Sequence, residues 1–111
     1  MSIKSDYLNI DSALKRVGGN ETLYKKLLTH FLNDNHVDVL NEAVEKGDYE
    51  IAAQNAHTIK GVSANLSLDN LRQMAADIEA QLKSGQDATA LLSELNATFD
   101  KTIEYINEYI G

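Results

Sequence analysis

Apolar residues recur along this chain at steps of three and four, the spacing that lines one face of a helix, and not at the step of two that a strand needs. Leu92, Leu95, Phe99, Ile103, Ile106 and Ile110 form one stripe, and Leu68, Leu71, Ala75, Ile78 and Leu82 form another. Tyr24, Leu27, Leu28 and Phe31 make a third, which Val37, Leu40 and Val44 extend. Between the stripes stand Gly18-Gly19-Asn20, Gly47-Asp48, Ser67 and Gly85-Gln86-Asp87. Each reads as a chain reversal with a side-chain acceptor for the free N–H groups of the next helix. The pattern predicts helical segments from Asp11 to Val17, Glu21 to about Asn35, Val37 to Lys46, Tyr49 to Leu66, Leu68 to Ser84, and Ala88 to near Ile110. The class is all-α, and no proline interrupts any segment. Stripes of this length joined by short turns bury themselves most economically as an antiparallel four-helix bundle. The Asp11 segment is then a short N-terminal capping helix with Ile10 and Leu14 facing inward, and the Asn35-His36 region is an extra helix or a helix break.

The segment from Tyr49 to Leu66 differs from its neighbours on its outer side. Its inner stripe is Ala52, Ala56, Ile59, Ser63 and Leu66, and His57 points away from it. The helical neighbours of His57 are Ala53, Lys60, Gly61 and Ala64, small residues with one cation where a solvated face would carry Glu, Lys and Gln. Gly61 inside a helix costs about 1 kcal/mol relative to Ala, a cost that has a purpose where a bulky group must approach closely. The next helix supplies a partner. With Ser67 as the turn, a rise of ~1.5 Å per residue puts His57 and Glu79 within about 3 Å of the same height in an antiparallel hairpin. A carboxylate accepting from Nδ1–H fixes the imidazole tautomer and leaves the Nε2 lone pair pointing outward. Ala76 and Arg72 then lie alongside Lys60 and Ala64. Lys83, one turn beyond Glu79, is either a further rim cation or an ordinary solvated lysine.

A nucleophilic imidazole beside a lysine and a glycine suits phosphoryl transfer, which needs in-line access and positive charge on the equatorial oxygens. An ordinary histidine titrates near ~6.5, so much of it is neutral and able to attack phosphorus at neutral pH.

Composition narrows the field. The 111 residues are one domain's worth of chain, expected to span 1–111, with 10 Lys and Arg against 17 Asp and Glu for a net charge of −7. That acidity argues against nucleic-acid and anionic-membrane partners, which are gripped by clustered Lys and Arg. The absence of cysteine removes disulfides, thiolate nucleophiles and zinc ribbons. The start Met1-Ser2-Ile3-Lys4 has no apolar leader, so a cytoplasmic address is expected, for a freestanding protein or a trimmed domain.

The run A-H-T-I-K-G-V-S-A-N-L from Ala56 to Leu66 resembles the signature of histidine-containing phosphotransfer (HPt) domains, the relay modules of two-component signalling. Ile10 to Glu21, Lys46 to Glu50 and the helix ending at Leu82 are similar to further parts of that family. The resemblance implies that His57 is the phospho-accepting residue, Lys60 the phosphoryl-side cation, Gly61 the clearance position and Glu79 the imidazole's partner, where relatives carry Glu or Gln. Ala53, Ala64, Arg72, Ala76 and Lys83 would form the binding rim. It implies response-regulator receiver domains and a hybrid sensor kinase as partners, a monomer, no ATP site and no cofactor or metal of its own. The Mg²⁺ would belong to the receiver. One departure is visible: the family usually has glycine after Asn-Leu, and this chain has Ser67, expected to form the turn as a capping serine.

Other classes fit less well. A bundle metal site would show inward Glu-x-x-His pairs, and the residues three before His30, His36 and His57 are Leu27, Asn33 and Gln54. In an acyl carrier protein the Asp-Ser attachment opens a long central helix, whereas Asp11-Ser12 sits in a short N-terminal segment. A kinase would need a phosphate-cradling glycine loop, and Gly18-Gly19-Asn20 has no Gly-Lys-Ser/Thr after it. A non-catalytic helical adaptor is the remaining alternative, and it makes no use of His57.

Overall fold

The computed structural model describes residues 3–111; Met1 and Ser2, on which part of the leaderless start expected above falls, lie outside the described residues. Among these described residues seven helices follow in order: α1 Lys4–Tyr7, α2 Ile10–Arg16, α3 Glu21–Leu32, α4 His36–Lys46, α5 Tyr49–Leu66, α6 Asp69–Lys83 and α7 Thr89–Ile110. Among the described residues there is no strand. Among the described residues no helix is long and apolar enough to cross a membrane.

Helix α5 packs most extensively on α6, then on α4, while α7 packs on α6 and touches α4, so these four helices close a ring. Helix α3 touches α5 and α7 as α4 does, and the two are successive parts of one leg broken at residues 33–35. That leg runs antiparallel to α7: Tyr24 packs on Tyr109, Phe31 on Phe99, and Asn41 exchanges amide hydrogen bonds with Asn96. The break was expected, but α3 ends at Leu32 rather than Asn35, because the chain leaves the helix with Asn33 as its C-cap. The core combines the expected stripes, with Tyr24, Leu28, Leu40, Ala52, Ala56, Leu71, Ala75, Ile78, Leu95 and Ile106 all buried. Leu27 is the exception. It stands at the edge of the α3 stripe and is 37% exposed, lining a cleft between α2, α3 and α5 instead of entering the core.

The N-terminal end holds one more helix than the periodicity predicts. Helix α1 has four residues, too few for a repeating stripe, and is fixed by tertiary contacts: Lys4 pairs with Glu108 and Tyr7 packs on Tyr105. Helix α2 is the expected capping helix, opened by Asn9, whose side chain accepts from the Ser12 N–H. Ile10 and Leu14 pack against the core, half-buried.

The α5–α6 reversal differs from expectation. Ser67 does not cap α6 with its side chain; the N-cap is Leu68, which makes no side-chain capping bond. Ser67 is the C-cap of α5 in the left-handed conformation, φ 58° and ψ 39°, the place where helices most often use glycine. Surrounding bonds hold it there. The Asn9 N–H donates to the Ser67 carbonyl at 3.0 Å, the Ser67 hydroxyl donates to Ser12 Oγ at 3.2 Å, and the Tyr24 hydroxyl donates to the Leu66 carbonyl at 2.7 Å. Burial, with Tyr109 and Asp69 nearby, pushes the Tyr24 hydroxyl well above its usual range, so it remains a donor at any physiological pH. The turns before α3 and α5 follow the sequence reading: Asn20 accepts from the Leu23 N–H and Asp48 from the Ile51 N–H.

Candidate functional site

The middle of α5 places the site. Its buried residues are Ala52, Ala56, Ile59, Ser63 and Leu66, the stripe read from the sequence, so His57 is turned outward and its side chain is 67% exposed. The facing turn of α6 buries Leu71, Ala75, Ile78 and Leu82 against the core, and with them Glu79, whose side chain is only 6% exposed. The hairpin brings the two together. His57 Nδ1 lies 3.0 Å from Glu79 Oε2, with the carboxylate accepting from Nδ1–H when the ring is the Nδ1–H tautomer. The Nε2 lone pair is then directed away from the carboxylate, on a side chain that is largely open to solvent.

Glu79 holds two further cations. Lys60 Nζ donates to Oε1 at 2.7 Å, and Lys83 Nζ lies 3.0 Å from Oε2. Burial alone would push the Glu79 carboxyl up, but the hydrogen bonds from Lys60, Lys83 and His57 and the charge of Lys60 outweigh it and hold the group at about 2. It is therefore ionised throughout the neutral range. A carboxylate this buried would be costly alone; three donors spread over its two oxygens satisfy it. Lys83, left open between rim cation and solvated surface, joins this cluster while remaining 66% exposed. An i to i+4 Glu-Lys pair is so common on helix surfaces that its spacing alone does not tell a buried cluster from a solvated pair.

The other sequence-predicted positions surround this centre. Gly61 is exposed, and a Cβ built on it would meet nothing within 4 Å, so no contact inside the fold requires glycine there. Ala53, Ala64 and Ala76 are half-buried and leave the surface beside His57 low. Arg72 is half-buried two turns of α6 before Glu79, and it is not part of the Glu79 cluster. A cleft of about 640 Å³ opens on the other side of the ring, lined by Tyr49, Ala53, Gln54, Thr58 and Leu82 among others, together with His57, Glu79 and Lys83. Tyr49, at 43% exposure, is part of this face and was not singled out from the sequence. Its position eight residues before His57, two helical turns, was the available signal. His30 and His36 lie elsewhere, His36 bonding Asp34 at the start of α4. Among the described residues no group of three or more His, Cys, Asp or Glu could hold a metal ion.

The Hpt domain family matches residues 26–107 of the chain. The chain belongs to the Hpt domain family. The matched stretch begins inside α3, ends inside α7 and contains every residue of the Glu79 cluster, while α1 and α2 fall outside it. No curated protein and no solved structure matches the chain. Hpt domains are helical phosphocarrier modules of two-component phosphorelays, working by histidine phosphotransfer and not as catalysts with an ATP site.

Proposed function

We propose that this Hpt domain accepts a phosphoryl group on His57 Nε2 from the phosphoaspartate of a receiver domain and relays it to the aspartate of another. One observation carries the reading: an exposed imidazole whose Nδ1 is held by a buried carboxylate ionised throughout the neutral range, leaving Nε2 as the outward nucleophile. In the transfer the Nε2 lone pair attacks phosphorus in line, and the P–O bond to the receiver's aspartate breaks with its electron pair left on the carboxylate. Lys60 supplies positive charge to the phosphoryl oxygens, and Lys83 and Arg72 add to the positive rim. Gly61, with Ala53, Ala64 and Ala76, keeps the approach low enough for the shallow pocket of a receiver.

The Mg²⁺ that neutralises the acyl phosphate belongs to the receiver in this reading, and the chain works as a monomer in the cytoplasm, supplied through a hybrid sensor kinase. Incubation with a phosphorylated receiver is expected to label the protein with an acid-labile, alkali-stable phosphate. His57→Gln is expected to abolish the label and keep the helical circular-dichroism spectrum. A folded His57→Gln protein that still takes the label would refute the assignment.

A further inference from the structure

We propose that Glu79 keeps the Nδ1 proton on His57 after Nε2 has taken the phosphoryl group, so that the protein carries a phosphoimidazolium poised to give the group away. The inference rests on the reading of His57 as the phosphoryl acceptor. When Nε2 forms its bond to phosphorus, the leaving pair goes to the receiver's aspartate and no proton has to move. The ring then holds phosphorus on Nε2, hydrogen on Nδ1 and one positive charge. If it lost that proton to water, the next transfer would have to expel an imidazolate, a strongly basic leaving group. With the proton kept, the next transfer expels neutral imidazole. The protonation state of Nδ1 therefore decides between a carrier that releases its cargo and one that stores it.

The surroundings favour the proton. Glu79 Oε2 is 3.0 Å from Nδ1 on a side chain that is only 6% exposed, and the carboxyl is held at about 2, so it is ionised throughout the neutral range. The charged groups around it are Lys60 from α5 and Lys83 from α6, both on the Glu79 oxygens, with exposed Glu50 and Tyr49 further along the cleft and Arg72 two turns away on α6. A dianionic phosphoryl group, two ammoniums, one carboxylate and a cationic ring sum to zero charge. With a neutral ring the same cluster is left net negative, and the more distant Glu50 and Arg72 carry opposite charges that offset each other. If the carboxylate were an amide, the balance would reverse and the neutral ring would give the uncharged sum. Glu79 is therefore a positioning residue that acts on phosphorus through the ring, and the choice between Glu and Gln at this position sets the protonation state of the loaded carrier.

The test is to load the protein chemically with phosphoramidate, in a His30→Gln, His36→Gln background so that His57 alone can carry the group, and to follow the ³¹P shift of phospho-His57 against pH. The ring's titration midpoint is expected to fall by about one to three pH units in Glu79→Gln. It is expected to rise in Lys83→Met, which removes a competing cation. Transfer from loaded Glu79→Gln to a receiver is expected to slow about tenfold per pH unit above its midpoint, while the Glu79 protein stays level over the same range. Coincident midpoints for Glu79 and Glu79→Gln would overturn the inference. If Glu79→Gln does not fold, a Lys83→Met midpoint that stays in place or falls overturns it equally. Midpoints that shift as expected in a protein that no receiver loads or unloads would leave the ring chemistry standing and remove the relay reading itself.

Discussion

His57, Lys60 and Gly61 occupy one outward face of α5. The histidine and its partner were legible because helical rise fixes relative height: ten residues before a turn and twelve after it must meet in a tight hairpin. Lys60 was expected to face an incoming phosphoryl group, and its ammonium is bonded to Glu79 Oε1. It can serve both acceptors, since a lysine head swings on four rotatable bonds. Lys83 was legible as a rim position but not as a partner of Glu79, because nothing in an i to i+4 spacing tells that the glutamate is buried, and burial is what makes the pair part of the site. Gly61 has open space above it, so Gly61→Ala is expected to raise stability by about 0.5–1 kcal/mol through helix propensity. Gly61→Glu is expected to fold equally well and yet to slow phosphoryl transfer at least about tenfold, because a new carboxylate beside His57 obstructs docking and repels the phosphoryl group. Denaturant melts paired with transfer kinetics check both; unchanged transfer in Gly61→Glu would remove the clearance role.

Among the elements, the α5–α6 hairpin fixes the site's geometry, and its turn is where sequence reasoning went wrong. A serine after a helix suggested a side-chain cap for the next one. Ser67 instead takes a left-handed backbone conformation, and bonds from Asn9 and to Ser12 draw α2 onto the turn. Those bonds join residues 55 or more positions apart, so no local pattern announces them. The same limit hid α1 and misplaced Leu27, whose fate at the stripe's edge depends on which helices flank it. Because an unbranched side chain tolerates φ 58° far better than a β-branched one, Ser67→Val is expected to cost about 2 kcal/mol or more. Ser67→Gly is expected to stay within about 1 kcal/mol of the parent, as relief of the backbone offsets the lost hydroxyl contact. Chemical denaturation separates the two, and equal losses would show that the hydroxyl, not the backbone, governs the turn.

For the molecule as a whole, periodicity alone was enough for an all-α chain with a broken leg, since four apolar stripes have few other ways to leave water. The cationic rim of Lys60, Arg72 and Lys83 was legible in the sequence, and the structure adds that Lys60 and Lys83 converge on one buried carboxylate. A chain of net charge −7 would repel the acidic pocket of a receiver, but the cations Lys60, Lys83 and Arg72 lie on the face that carries His57. In the proposed reading the bundle presents a small positive area on an acidic body, with the nucleophilic Nε2 of His57 inside it. The most direct test of that claim is to find the phosphorus: ³¹P and ¹⁵N NMR of the protein after loading by a phosphorylated receiver. The account predicts one phosphorus bonded to Nε2 of His57, with Nδ1 still facing Glu79. Phosphorus on Nδ1 of that ring, on His30 or His36, or absent from the protein altogether would contradict it.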